Sequence, residues 1–271
     1  MRLHATRRHR LAALLGLAAV GALSFALLRG GDDASDASLT EGDQLIAALD
    51  SLRPGTDDAG EAALEPSAAV RPPLYAIATV RQGENVALRR SPGGKLIEKL
   101  GDRTDFGSAR SFWVTTVKGD WLGVPAAELG NGKLGWIRDD RDRLELFQTR
   151  YSLVVNRSKR RMQLRYGRRL LEDVPVTVGS PGSPTPAGNF AVTDALAGGQ
   201  IGSYYGCCIL ALTGHQPNLP PDWLGGDRIA IHGTPGALGL AASSGCIRTD
   251  NADMVGLFAR VPLGTPVFVR A

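Results

Sequence analysis

The chain has 271 residues, 43% of them hydrophobic and 21% charged, with a net charge of +4. That length holds up to two compact domains, and the composition excludes a wholly disordered chain, a collagen-like repeat and a many-span membrane protein. Three cysteines cannot build a disulfide framework, and an odd number leaves one thiol unpaired, which in an exported protein points to a reactive cysteine.

Charge is unevenly spread. Residues 1–30 hold five Arg and no acid, and residues 31–70 hold ten acids and one Arg, which leaves +8 on residues 71–271. A mildly basic surface suits an anionic polymer, cell wall and nucleic acid alike, and charge alone does not choose among them. Arg2, Arg7, Arg8 and Arg10 precede an uncharged, Leu- and Ala-rich run from Leu11 to Leu28. At ~1.5 Å per residue this run just spans a ~30 Å hydrocarbon core. Residues 1–30 therefore read as a signal anchor, with a cleaved signal peptide as the rival reading. The basic flank places the remainder on the extracytoplasmic side of an inner or plasma membrane. Residues 31–73 are acidic and lack aromatics, so they bury too little apolar surface to offset chain entropy and read as a flexible linker.

The first folded unit is expected over residues 74–146. Tyr75–Val80, Asn85–Leu88, Phe112–Val117, Trp121–Pro125 and Leu134–Ile137 have strand character. They are punctuated by the turns Ser91-Pro92-Gly93-Gly94, Lys118-Gly119-Asp120 and Gly130-Asn131-Gly132. Five short strands predict a small barrel. The order VALRRSPGG, TTVKGDWLGV, GKLGWI resembles a bacterial SH3-like domain, which implies docking on cell wall or positioning of a neighbour. Trp113, Trp121 and Trp136 suit either a binding groove or a core.

The second unit is expected over residues 150–271. Tyr151–Val155 and Arg161–Tyr166 flank a turn and predict a hairpin, and Val174–Val178 a further strand. Gly179–Phe190, rich in Gly, Pro and Ser, reads as an irregular loop. Strands follow at Ile209–Leu212, Arg228–His232 and Pro266–Arg270. One short helix is expected from Asp250 to Arg260, capped by Asp250, with Met254, Leu257, Phe258 and Val261 as its apolar stripe. The fold class is mainly β.

The chemistry concentrates in IAIHGTPGALGLAASSGCIRTDNAD, residues 229–253. A strand delivers His232 at its end, and a Gly- and Ala-rich loop returns the chain to Cys246. A thiol attacks as thiolate, and a nearby imidazole can take its proton. Gly245 permits close approach of backbone amides, so the N–H groups of Ser244, Gly245 and Cys246 can form an oxyanion hole. Cys207 and Cys208 read as two packed thiols, with a strained vicinal disulfide as the alternative. The spacing of Cys207, Cys208, His215, His232 and Cys246 matches no zinc pattern, so no metal is expected.

HGT followed by SSGCIR, with PTPAGNF upstream and NAD plus VPLGTPV downstream, resembles the L,D-transpeptidase catalytic domain, also called YkuD-like. The resemblance runs from about Tyr151 to Ala271. It implies Cys246 as nucleophile, His232 as its base and Gly233 orienting the imidazole through its carbonyl. It also implies that Arg248 binds substrate carboxylate or braces the site; Tyr204 and Tyr205 fall in the stretch that in this family contributes a lid or pocket wall, and suit contact with a stem peptide or packing alike. Many members carry His where this chain has Ser244. The implied activity is acyl transfer on peptidoglycan stem peptides without a cofactor. Cys246 attacks a stem tetrapeptide, D-alanine leaves, and an amine takes the thioester in a 3→3 crosslink. With water as acceptor the same site is an L,D-carboxypeptidase, and a non-catalytic wall-binding protein is the other reading. Nucleic acid is no implied partner, and β-lactams of the carbapenem type are the implied inhibitors.

Overall fold

The computed structural model describes residues 72–219, 222–223 and 225–271. The expected anchor and nearly all of the acidic linker lie outside the described residues. Among the described residues, no helix is long and apolar enough to cross a membrane. Residues 72–271 fall within one compact unit.

Its first half contains β1 (Tyr75–Val80), β2 (Asn85–Arg89), β3 (Leu96–Gly101), β4 (Ser111–Val114), β5 (Thr116–Lys118), β6 (Trp121–Val124), β7 (Gly135–Arg138) and β8 (Leu144–Thr149). A three-stranded sheet, β4-β1-β8, faces a five-stranded sheet, β3-β2-β7-β6-β5. The expected run Phe112–Val117 is two strands in different sheets. They part at Thr115, whose amide bonds the Gly123 carbonyl at 2.9 Å. Sequence reasoning misses β3, which carries Glu98 and Lys99 among mostly exposed side chains, so no apolar alternation marks it. It also misses β8, which straddles the expected boundary at residues 146–150.

Alternation along β1 splits its side chains between two cores. Ala78 and Val80 pack with Val86, Leu88, Phe112, Leu122, Val124 and Ile137 between the two sheets. Ile77 points the other way and, with Trp113, packs on Ala191 of the second half. The Trp113 ring meets Phe268 edge-on at 5.6 Å and Tyr75 at 6.2 Å. Trp113 is therefore part of the packed seam between the halves. Trp136 is also buried, beneath Lys118. Trp121 borders a surface depression, beside Arg89, Arg138 and Arg143.

The second half runs β9 (Tyr151–Asn156), β10 (Arg161–Tyr166), β11 (Arg169–Pro175), β12 (Val178–Gly179), β13 (Gly188–Ala197), α1 (Gly198–Ile201), a 3-10 turn at Ser203–Tyr205, β14 (Cys208–His215), β15 (Arg228–Thr234), β16 (Ala241–Ser243), β17 (Ile247–Asp250), α2 (Asn251–Arg260) and β18 (Pro266–Arg270). Eight strands form one sheet, β11-β10-β9-β18-β13-β14-β15-β17, and β12 pairs β16 separately. The expected loop over residues 179–190 ends early, because Gly188–Phe190 opens the ten-residue β13. The one expected helix is α2, and its cap is made: the Asp250 carboxylate accepts the Asp253 amide at 2.8 Å. The four-residue α1 is a second helix that lacks any apolar period to announce it.

The sheet's two faces decide where the chemistry sits. Pairing aligns Leu210 with Ile231 and Ile231 with Ile247. These side chains are buried with Met254 and Leu257 of α2. The next row, Ile209, His232 and Arg248, faces the other way. Burial of the first row against α2, at about 1.5–3 kcal/mol per large aliphatic side chain, fixes the second row in place.

Candidate active site

β15 and β17 are parallel neighbours, with His232 beside Arg248 and Ile231 beside Ile247. Cys246 stands one residue before β17, which puts it two residues before Arg248 and on the same face as His232. The backbone of Ala230, two residues before His232, hydrogen-bonds Cys246. Thiol and imidazole thus lie on one face, Cys246 just ahead of the strand that flanks His232. No hydrogen bond joins them: Nε2 of His232 is buried and has no partner among the described residues.

The imidazole is fully buried and its Nδ1 lies 2.8 Å from the Gly233 carbonyl. A carbonyl only accepts, so Nδ1 carries the proton and the lone pair of the neutral ring is on Nε2. The Tyr205 ring meets the imidazole edge-on at 5.0 Å and Tyr204 lies at 5.8 Å. Burial pushes the His232 pKa down, opposed by the Gly233 carbonyl. Burial pushes the Cys246 pKa up, opposed by the Ala230 backbone. Both shifts favour the neutral forms, thiol and imidazole. Burial, then the charge of Cys246, raises the Tyr205 phenol as well.

The turn carrying Cys246 is held by its neighbours. The buried Ser243 hydroxyl donates to the Cys246 carbonyl at 2.6 Å and accepts the Gly245 amide at 3.1 Å. That second bond removes Gly245 from the expected oxyanion trio and leaves the amides of Ser244 and Cys246 as its candidates. Gly245 adopts φ +114°, and a Cβ there would lie 2.2 Å from Nε2 of Gln216, so glycine is required. Gln216 Nε2 in turn donates to the carbonyls of Ser183 and Pro184 at 3.1 and 3.0 Å. Thr185 completes the clamp, donating to the Gly245 carbonyl at 2.8 Å and accepting the Gly179 amide at 2.8 Å. The PTPAGNF segment therefore braces the nucleophile turn from below.

The other wall is the segment around α1 and the 3-10 turn. The Asn251 side chain accepts the Cys207 amide at 2.9 Å. A Cβ on Gly233 would lie 2.3 Å from Oδ1 of Asn251 and 3.2 Å from the Cys207 amide. Gly233 thus serves through its lack of side chain as well as through its carbonyl. Arg248 lies under Tyr204, its guanidinium 4.9 Å from the ring. Its Nε is buried without a partner among the described residues, and burial lowers its pKa. Tyr204, Tyr205, Gln216, Ser244, Cys246 and Arg248 line a narrow pocket of about 60 Å³.

Each expected site residue thus sits on or beside this one face. Sequence reasoning passes over Ser243 as a brace, Gln216, Thr185 and Asn251. Thr185 and Asn251 lie inside the PTPAGNF and NAD stretches that carry the resemblance, whereas no local signal marks Gln216. Cys207 and Cys208 are free thiols. Burial and the neighbouring Cys207 push Cys208 up to about 12, which makes it an inert packed thiol. No cluster of three or more His, Cys, Asp or Glu side chains suited to a metal ion occurs among the described residues.

The site therefore joins a buried His232 within β15, Cys246 in the tight turn that opens the parallel neighbour, and Arg248 two residues on. Residues 150–269 match the family model for the YkuD L,D-transpeptidase catalytic domain. Among curated proteins, this chain is 30% identical over 124 residues to the L,D-transpeptidase YkuD of Bacillus subtilis strain 168, covering 44% of this chain and 66% of that one. It is 32% identical over 123 residues to the YkuD protein of Bacillus licheniformis, covering 44% and 65%. The match thus spans about two thirds of the length of these relatives. Among solved structures, an L,D-transpeptidase from Mycobacterium smegmatis is 17% identical with a TM-score of 0.38, covering 58% of this chain and 80% of that one.

Proposed function

We propose that the chain is an L,D-transpeptidase acting on peptidoglycan from the extracytoplasmic side. The observation that carries this is the face shared by His232, with a free Nε2 lone pair, and Cys246, just ahead of the strand that flanks it.

In this reading a stem tetrapeptide enters the pocket beside Tyr204 and Tyr205, with Arg248 as the cation for a substrate carboxylate. Nε2 of His232 takes the thiol proton as sulfur adds to the carbonyl of the third residue. The amides of Ser244 and Cys246 receive the developing oxyanion. Collapse breaks the peptide C–N bond, His232 gives its proton to the leaving amine, and D-alanine departs to leave a thioester. An acceptor amine then attacks the thioester, loses a proton to His232, and displaces Cys246 as thiol, forming a 3→3 crosslink. With water in place of the amine the product is a shortened stem. A neutral pair fits this order, because the thiolate forms only as the imidazole becomes a cation. The β1–β8 half is assigned as an SH3-like module that sets the attitude of this face to the wall. The basic run before Leu11–Leu28 supports membrane anchoring.

Incubation with a carbapenem followed by intact-protein mass spectrometry tests the reading. The expected result is one stoichiometric adduct, absent from Cys246→Ala. A folded protein that gains no mass, or an adduct that survives Cys246→Ala, refutes it.

A further inference from the structure

Between the two halves lies a cavity of about 240 Å³, bordered by Phe106, Phe112, Arg110, Glu128, Asp194 and Arg228. Neither His232 nor Cys246 borders it. Asp194 on β13 is 1% exposed. Its Oδ1 accepts the Thr104 hydroxyl, and its Oδ2 is buried without a partner among the described residues. Glu128 repeats the pattern: Oε1 pairs with Arg110 at 2.7 Å, and the buried Oε2 has no partner.

The hydrogen bonds of the nearby cations leave Asp194 Oδ2 and Glu128 Oε2 unpartnered. Arg110 also donates through Nε and Nη2 to the carbonyls of Gly101 and Arg103, both at 2.9 Å. Arg228 donates to the Leu212 carbonyl at 2.8 and 2.5 Å and to the Thr193 hydroxyl at 2.7 Å. The ring nitrogens of His215 face the Ala127 carbonyl and Asp227. Asp105, Glu128 and Asp194 thus outnumber Arg110 and Arg228 along the cavity wall. A buried acceptor without a donor is costly. What Asp194 Oδ2 and Glu128 Oε2 lack is a donor within hydrogen-bond distance among the described residues.

We propose that this cavity binds a small primary ammonium compound. Its N–H groups satisfy Asp194 Oδ2 and Glu128 Oε2, and its stem rests on Phe106 and Phe112. An ammonium offers three donors and no acceptor, which matches two free carboxylate oxygens and one excess negative charge. At ~30 Å³ per water in the liquid, the volume suits a molecule of amino-acid size. This site is independent of the transpeptidase reading. The amine has two sources, a free metabolite or the side chain of a wall peptide.

Calorimetric titration of the full chain with methylammonium, free L-lysine and the dipeptide L-lysyl-D-alanine tests the site. Saturable one-to-one binding is expected, weakened about tenfold or more by Asp194→Asn and by Glu128→Gln, and unchanged in Cys246→Ala. Equal binding of free lysine and dipeptide assigns a metabolite, whereas binding of the dipeptide alone assigns a wall peptide. Should Asp194→Asn fail to fold by circular dichroism, Glu128→Gln decides. Absence of saturable binding by all three amines, or binding that the folded variants retain in full, overturns the proposal.

Discussion

Ser243→Ala is the sharpest test of how the nucleophile turn is built. The hydroxyl bridges the Cys246 carbonyl and the Gly245 amide in a site 2% exposed. Alanine removes both bonds and leaves two backbone groups with little access to water. At about 1 kcal/mol net per hydrogen bond, the loss is about 2 kcal/mol. For a unit of this size that lowers Tm by about 4–8 °C. If the same energy is felt where Cys246 must be held for attack, acylation slows by about tenfold to thirtyfold. Stopped-flow or mass-spectrometric acylation by a carbapenem, with thermal unfolding measured in parallel, reads both numbers. An acylation rate and Tm equal to those of the parent chain would refute the bracing role. Complete loss of acylation in a folded protein would also refute it, since that is the signature of removing the nucleophile itself.

Gly233→Ala, whose added methyl would meet the Asn251 side chain and the Cys207 amide, should destabilise by about 1–3 kcal/mol and lower acylation; thermal melts and adduct kinetics check both. Asn251→Ala, which frees the Cys207 amide, should cost about 1–2 kcal/mol and speed proteolysis within residues 198–207 under native conditions. Ser244→Ala should leave acylation within about twofold, because the described bond there is made by its carbonyl, to Gln216. The His232 pKa is lowered by burial, so the unfolded chain binds a proton that the folded chain refuses. Its contribution to stability is present above the ordinary histidine range and is lost as pH falls through the folded value. The Cys246 pKa is raised, so that thiol stabilises the fold below the ordinary cysteine range and ceases to do so as pH rises through its folded value. Melts of Cys246→Ala against the parent at alkaline pH isolate the second effect: the gap between them should narrow as pH rises.

The legible parts of the sequence are those with a strict period or a cap. Tyr75–Val80, Arg161–Tyr166 and Pro266–Arg270 are strands with the expected limits, and Asp250 caps α2 as its spacing to Asp253 demands. His232 and Cys246 are legible as well, because a strand end and a Ser-Ser-Gly-Cys turn leave few other uses for them. Hidden parts depend on partners distant in the chain. β13 opens inside a Gly- and Pro-rich stretch and alternates poorly, since both its faces are buried, Phe190 and Val192 in the main core and Ala191 against the first half. Gln216 carries no local pattern, and its work is visible only once Ser183, Pro184 and Gly245 meet around it. The opposite pKa shifts of the thiol and imidazole likewise follow from burial, a quantity that composition does not contain.

Only Arg150 separates β8 from β9, and the Trp113, Tyr75 and Phe268 rings lock together beside that joint. A hinge needs slack, and one residue under an aromatic clasp provides almost none. Any ligand that bound the first half would therefore be held at a set angle to His232 and Cys246, as a workpiece is held against a tool on a common jig.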